Sequence, residues 1–168
     1  YYGGSLSGTL STLRELARGS QVHVLERDEL RLGGVRFLGC TLWTDFRLQA
    51  TEAERAASMA MASQLIRDFS RVRLDDDGAA LFTPELSRQV FDESVAWLDK
   101  KFAEPFDGTT VVVSHHAPSI GSINPKYEGS PLNACFVSDI EPQLRRWNAP
   151  LWIHGHLHDS YDYAVGNT

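Results

Sequence analysis

Hydrophobic residues near the start of the chain follow a helical pattern and then a strand pattern. Leucines recur every three or four residues over 6–17, which predicts an amphipathic helix that ends at Gly19. The leucines of its apolar face are Leu6, Leu10, Leu13 and Leu16. After the glycine, the segment 22–25 (VHVL) predicts a short strand. The pattern therefore predicts that the chain passes from a helix into a sheet.

Two adjacent glycines mark a predicted β-hairpin. Gly33 and Gly34 lie between the apolar segments 30–32 and 35–38, and a Gly-Gly pair favours a two-residue hairpin turn. The apolar and β-forming residues continue beyond the second segment. We therefore expect the second strand to run on through Cys40 and Leu42 to Phe46.

Helical patterns dominate the middle of the chain. Thr51, followed by two glutamates, predicts the start of a helix that runs to about Val72. Its predicted inner face consists of Ala57, Met61, Leu65 and Phe69. A further helix is predicted from Thr83-Pro84-Glu85 to Pro105, because a capping hydroxyl, an early proline and an acid are typical of a helix start.

Two short apolar runs in the last third predict strands of a covered sheet. The β-branched run 109–114 (TTVVVS) is typical of a strand that is buried on both faces. A loop follows it, then a short helix capped by Ser138-Asp139 that ends near Trp147, and then a second apolar run, 151–153. Strands that alternate with helices predict an α/β fold, and no linker divides the chain, so we expect a single domain.

Composition limits the classes of binding partner and the cellular compartment that are expected for the protein. The 168 residues carry a net charge of −6 and no cluster of basic residues, which argues against nucleic acid or an anionic membrane as the main partner. No apolar run approaches the ~20 residues that span a bilayer. Cys40 and Cys135 lie far apart in sequence, as expected for two reduced thiols. A cytoplasmic protein is the expectation.

Five of the six histidines directly follow the two predicted C-terminal strands. His115 and His116 follow the first strand, and His154, His156 and His158 follow the second. In α/β folds the carboxyl ends of the strands form the ligand-binding edge, so the two clusters are expected to converge. Imidazole is a common ligand of transition metals. The sequence therefore predicts a metal site at this edge.

Glycine interrupts the second histidine cluster. Gly155 permits a sharp turn and a close approach of backbone to a ligand, so a continuous strand is not expected here. We therefore predict that His156 and His158 coordinate a metal ion and that His154 is only their neighbour at the strand end.

These motifs resemble part of a known family. Gly155-His156-Leu157-His158 has the form GH-x-H, and residues 111–116 (VVVSHH) form an apolar strand followed by histidine. In this order they resemble the last two of five signature motifs of the calcineurin-like metallophosphoesterases, and the chain is similar to the C-terminal part of small bacterial phosphohydrolases of that group. The resemblance implies a four-layer αββα sandwich around two divalent metal ions such as Mn, Fe or Zn, and the hydrolysis of a phosphomonoester or phosphodiester.

The resemblance also implies ligands. His115 and His156 would bind one ion, and His158 would bind the other. The family pattern has a single histidine at this position, so the presence of His116 leaves open which of the two adjacent histidines coordinates. His115, the first residue after the strand, is favoured. His116 and His154 would then support the ligands from behind.

Three motifs of the family are absent from these residues. D-x-H, GD-x-x-D and GNH-[ED] would supply the carboxylates and further ligands, and Tyr1-Tyr2-Gly3-Gly4 is similar to the residues that follow GNHE in relatives. We therefore expect residues 1–168 to be the C-terminal part of one metallophosphoesterase domain, with the missing motifs upstream. This part alone is expected to bind metal weakly and to be essentially inactive.

The loop between the two metal motifs offers candidate contacts to a small phosphoester substrate. Tyr127 and Asn133 are these candidates, although a structural role for both is an equal alternative. The cluster HGHLHD also has a superficial likeness to the H-x-H-x-D-H cluster of metallo-β-lactamase folds, but the order of its last residues differs. A non-catalytic scaffold that retains the sandwich is the main alternative function. The oligomeric state stays open.

Overall fold

The structure, a computed structural model, describes residues 1–168 and combines five helices with one four-stranded sheet. The helices are α1 Leu6–Ala17, α2 Glu52–Leu65, α3 Asp68–Arg71, α4 Pro84–Ala103 and α5 Glu141–Trp147. The strands are β1 Asp28–Leu32, β2 Val35–Cys40, β3 Thr109–Ser114 and β4 Leu151–Ile153. The predicted α/β class is confirmed. No helix is long and apolar enough to cross a membrane.

Three parallel strands place their carboxyl ends at one edge of the sheet. The strand order is β1-β2-β3-β4, with β1 antiparallel to β2 and with β2, β3 and β4 parallel. The predicted hairpin is confirmed, and both turn residues, Gly33 and Gly34, have positive φ angles of 58° and 79°. The segments that follow β2, β3 and β4 therefore all begin at the same edge.

The two faces of the sheet differ in burial. On one face, Leu38 and Val112 are fully buried in a core that also contains residues of α4 and α5. On the other face, Val113, Leu151 and Ile153 are 37%, 48% and 48% exposed, although all three are apolar. The prediction that β3 is buried on both faces is therefore wrong at Val113. An exposed apolar sheet face is a surface that further structure could cover.

The segment 22–25 does not form the predicted strand. It pairs with no strand, and its Leu25 side chain lies over Gly39 of β2 instead. A Cβ atom at Gly39 would lie 2.4 Å from the Cβ of Leu25, so only glycine leaves room for this contact. Packing of Leu25 on the sheet therefore replaces strand pairing.

β2 ends at Cys40, and the predicted continuation to Phe46 is wrong. Leu42, Trp43 and Phe46 have positive φ angles of 69°, 62° and 56°, which a strand does not allow. All three side chains are nevertheless buried. Leu42 enters the core beneath the sheet, whereas Trp43 and Phe46 enter a second core beside α2 and α3. The left-handed backbone divides adjacent apolar side chains between two cores.

The predicted helix from Thr51 to Val72 is broken. Thr51 caps α2 as expected, in a capping box with Glu54, but the backbone becomes extended at Ile66 and a separate short helix follows. The inner face also differs from the prediction. Met61 and Leu65 are 37% and 62% exposed. The buried residues of α2 are Ser58, Met59 and Ala62.

The remaining helices begin and end close to their predicted positions. α4 begins after the Thr83 cap, as predicted. α1 has the predicted bounds, but none of its residues is buried, and Leu13 and Leu16 are 44% and 74% exposed. α5 begins at Glu141, and of the predicted capping pair Asp139 accepts a hydrogen bond from the Glu141 amide at 3.3 Å, whereas the hydroxyl of Ser138 donates to Asp45.

Arg36 joins the sheet to the end of α4. Its side chain is only 3% exposed, and its Nη1 donates to the carbonyl oxygens of Lys101 and Glu104 at 2.9 and 3.4 Å. Its Nε donates to the Thr110 hydroxyl at 3.1 Å. The carbonyl groups at a helix C-terminus lack partners within the helix, and a cation there is favourable.

Arg36→Met is therefore expected to lower the free energy of unfolding by about 2 kcal/mol, because the carbonyl groups at the end of α4 and the Thr110 hydroxyl lose their buried donor. Urea denaturation followed by circular dichroism measures this change. The control is Arg18→Met, at an exposed arginine, which we expect to change stability by less than about 0.5 kcal/mol. Equal effects of the two substitutions would contradict the assigned role of Arg36.

Candidate metal centre

The ends of β3 and β4 bring three imidazole rings together. The amide of Gly155 donates to the carbonyl oxygen of His115 at 3.1 Å, which continues the contact between the two segments beyond the strands. The ring centroid of His156 lies 4.6 Å from that of His115 and 4.4 Å from that of His116. The centroids of His115 and His116 are 5.0 Å apart. The predicted convergence of the two histidine clusters is therefore present.

One pair of ring nitrogens has a spacing that suits a shared ion. His115 Nε2 and His156 Nδ1 lie 2.9 Å apart. Two nitrogens bound at 2.0–2.1 Å would be separated by about 2.9 Å in adjacent octahedral positions and about 3.3 Å in tetrahedral positions. The pair can therefore form a hydrogen bond between neutral rings, or bind one ion after little movement.

The backbone around His156 departs from the expectation for its glycine. Gly155 does not have a positive φ, whereas His156 and His158 have φ angles of 71° and 60°. The sharp turn that was expected at Gly155 is thus made by the two histidines, in the left-handed conformation. Non-glycine residues in this region carry a conformational cost, and such residues cluster at functional sites.

His116 lies behind the pair and is held by the end of β2. It is 2% exposed, and its Nδ1 donates to the carbonyl oxygen of Thr41 at 3.1 Å. Glu26 in turn accepts a hydrogen bond from the amide of Thr41 at 2.7 Å. The ring of Trp43 stacks on His116 with a centroid distance of 5.2 Å. These contacts fix the orientation of the His116 ring.

His154 and His158 lie on different sides of the pair. His154 Nε2 is 2.9 Å from the hydroxyl of Ser122, which also contacts the hydroxyl of Tyr163, so His154 belongs to a separate network. His158 is exposed and lines the same cavity as His115 and His156. The structure therefore separates His154 from the cluster and leaves His158 at its open side.

Burial keeps the clustered imidazoles neutral. Burial and, to a smaller extent, the neighbouring His115 and His158 together lower the pKa of His156 to about 4. Burial also lowers the pKa of His116 well below its ordinary value and lowers that of His115. Neutral imidazole is the form that binds metal ions.

These shifts predict a pH-dependent stability. An unfolded histidine takes up a proton near pH 6.5, whereas the folded His156 takes it up only near pH 4. The unfolded state therefore binds more protons in this interval, and the free energy of unfolding should fall by on the order of 2 kcal/mol between pH 7 and pH 4. Urea denaturation across this range measures the fall.

His156→Asn is the matched variant for this prediction, because asparagine tolerates the left-handed backbone. It should flatten the pH profile of stability, whereas the exposed His23→Asn should leave it unchanged. A profile that is equally steep in the wild type and in His156→Asn would show that other groups cause the pH dependence.

The imidazole pair opens into a cavity of about 1040 Å³. The cavity is lined by His115, His116, His156 and His158, and also by Tyr127 and Asn133. Asn133 Nδ2 donates to the carbonyl oxygen of Tyr127 at 2.8 Å, so its side chain has a structural role in this loop. The Tyr127 side chain is 54% exposed and is available to a ligand.

The cavity also contains charged residues that the sequence did not single out. Arg67 and Asp68 come from the break between α2 and α3, and Asp159 follows the last histidine. Burial raises the pKa of Asp68, although the Tyr2 hydroxyl and His115 oppose this shift. Because the sequence predicts one continuous helix through residues 67 and 68, no signal marked them as cavity residues.

The side chains of this chain do not form a complete metal site. No group of three or more His, Cys, Asp or Glu side chains is placed to hold a metal ion. His156 Nε2 is also buried without a hydrogen-bond partner. The facing nitrogens of His115 and His156 fit two coordination positions of one ion, and no further side chain of the chain completes the set of ligands.

The chain matches no known protein family, no curated protein and no solved structure.

Proposed function

We propose that these residues form part of a metal-dependent phosphoester hydrolase of the calcineurin-like type. The observation that carries this proposal is the 2.9 Å separation of His115 Nε2 and His156 Nδ1 at the carboxyl edge of parallel strands, beside a large cavity. The resemblance of the GH-x-H and strand-histidine motifs to that family supports it. In α/β folds this edge is where ligands bind.

The proposed ligands divide between two divalent ions. His115 and His156 would hold one ion, and the exposed His158 would reach the other. When bound, such ions neutralise phosphate charge and activate water for hydrolysis. His116 would support the first ion by fixing the ring of its neighbour, because it is itself held by Thr41. The carboxylate ligands of the resembling family have no counterpart in these residues.

The finer fold assignment is part of the same proposal. A four-layer αββα sandwich has two sheets packed face to face, and residues 1–168 would supply one sheet with its helices. The exposed apolar side chains of Val113, Leu151 and Ile153 support this assignment, because they form one face of the sheet without cover. A second sheet packed there would remove them from water.

A small phosphoester is the proposed substrate, with Tyr127 at the wall of the cavity and Asn133 holding the Tyr127 loop. We also propose that the protein acts in the cytoplasm. The free, buried thiols of Cys40 and Cys135 support a reducing compartment.

Two assays test the function. The complete product of the gene that encodes this chain should hydrolyse p-nitrophenyl phosphate or its diester in the presence of Mn²⁺ or Zn²⁺, and His115→Ala should lower kcat/KM by on the order of 100-fold. The 168 residues alone should bind metal weakly and show essentially no turnover. His23→Ala is the control, since His23 is exposed and lies away from the cavity.

The non-catalytic alternative has a distinct outcome. A complete gene product that binds divalent ions through His115 and His156 but hydrolyses neither phosphomonoesters nor phosphodiesters would establish the scaffold and exclude the hydrolase. Turnover that does not depend on His115 would also overturn the proposal.

A further inference from the structure

Aromatic rings lie directly beside the imidazole cluster. Phe136 packs against His156 with a centroid distance of 4.9 Å, and Trp43 stacks on His116 at 5.2 Å. Tyr1 continues this row, at 6.0 Å from Trp43. Phe136, Trp43 and Tyr1 all line the cavity. A group bound next to the imidazole pair would therefore meet apolar and aromatic surface on two sides.

Exposed apolar side chains stand around the same cavity. Tyr2, Leu65 and Tyr127 line it and are 61%, 62% and 54% exposed. They come from three separate parts of the chain, namely the N-terminal residues, the end of α2 and the loop before α5. Large apolar side chains that converge on one cavity gain stability when a ligand removes them from water.

The charges in the cavity do not suit a polyanion. Among the lining residues, Arg67 is the one Lys or Arg side chain, and it is opposed by Asp68 and Asp159. One arginine against two aspartates leaves a formal charge of −1 before any metal is bound. Ligands with several phosphates are normally held by several basic groups or helix N-termini. The volume of about 1040 Å³ also exceeds what a phosphate group alone would occupy.

We infer that this cavity takes the organic part of a phosphomonoester whose alcohol component is aromatic or otherwise apolar. The inference rests on the proposed function for the position of the phosphate, which would lie at the imidazole pair. The organic group would then extend between Leu65 and Tyr127. Substrates with a small polar alcohol, or with a chain of phosphates, would make few of these contacts.

Equilibrium binding of two probes tests the inference. Affinities of 1-naphthyl phosphate and glycerol 3-phosphate are measured by isothermal titration calorimetry, with and without Zn²⁺. The naphthyl ester is expected to bind at least about tenfold more tightly, because only it buries the apolar wall. In the double variant Leu65→Ala, Tyr127→Ala the preference should fall below about threefold, because both side chains line the cavity and would contact the naphthyl group. Both are exposed, so their loss should not disturb the core.

Leu16→Ala is the matched control, because Leu16 is 74% exposed but lies outside the cavity, and it should retain the full preference. Equal affinities for the two probes, or a preference that survives the double variant, would overturn the inference. The proposed function is tested separately, by measuring whether the protein hydrolyses the phosphoester. Hydrolysis without a naphthyl preference contradicts only the inference, and a naphthyl preference without hydrolysis contradicts only the hydrolase.

Discussion

Replacing His115 by alanine is expected to weaken the binding of Zn²⁺ by on the order of 100-fold. His115 Nε2 is one of two nitrogens that face each other at 2.9 Å, so its loss leaves His156 as a single donor. The side chain is exposed at the strand end and has an ordinary backbone conformation, so the fold should be retained. Competition with a chromophoric chelator measures the affinity.

Two other histidines provide matched controls for His115→Ala. His23 lies away from the cavity, and His154 is held by Ser122 in a separate network. His23→Ala and His154→Ala should each change the Zn²⁺ affinity by less than about threefold. If either control weakens binding as strongly as His115→Ala, the ion binds at a different place from the one proposed.

Trp43→Ala is expected to lower the free energy of unfolding by about 3–5 kcal/mol. The indole is 4% exposed, and its centroid lies 4.2 Å from that of Phe82 and 5.2 Å from that of His116. Removal of the ring leaves a cavity between the second core and the imidazole cluster. Urea denaturation of the wild type and the variant, without metal, measures the loss.

The site should respond to the same substitution. Because Trp43 supports His116, Trp43→Ala should also weaken Zn²⁺ binding, although none of its atoms is a proposed ligand. Leu32→Ala, at an apolar residue that is 63% exposed, should change stability by less than about 0.5 kcal/mol and leave the Zn²⁺ affinity unchanged. A destabilised Trp43 variant with full Zn²⁺ affinity would show that the core does not position the site.

Local signals were sufficient to predict much of the fold. The Gly33-Gly34 turn, the Thr83 cap of α4 and the β-branched run of β3 each act within a few residues, so the sequence displays them directly. The segment 41–46 could not be predicted in this way. Its left-handed residues are stabilised by burial in two cores, and burial depends on elements that are distant in sequence.

The sequence was sufficient to predict which strand ends form the candidate site, but not the contacts between its side chains. Two histidine clusters after apolar strands predict convergence, because parallel strands share a carboxyl edge. The sequence could not indicate that His156 Nδ1 faces His115 Nε2, since this contact depends on the left-handed backbone of His156. It also could not reveal that Asp68 enters the cavity, because the helix break at Ile66 has no local proline or glycine.

His115 and His116 differ in what their ring nitrogens face. Nδ1 of His116 donates to the Thr41 carbonyl oxygen, which leaves its Nε2 unprotonated, and the ring is 2% exposed. His115 instead presents Nε2 to His156 at the cavity. We therefore retain His115 as the proposed ligand and His116 as the residue that positions the cluster.

Nitrogen-15 NMR of the imidazole side chains during a Zn²⁺ titration tests the central proposal most directly, because it identifies the nitrogen that binds the ion. The proposal predicts that Nε2 of His115 and Nδ1 of His156 shift together at the lowest Zn²⁺ ratios, while both nitrogens of His23 and His154 keep their resonances. A titration in which these two nitrogens do not shift, or shift only together with those of His23, would contradict it.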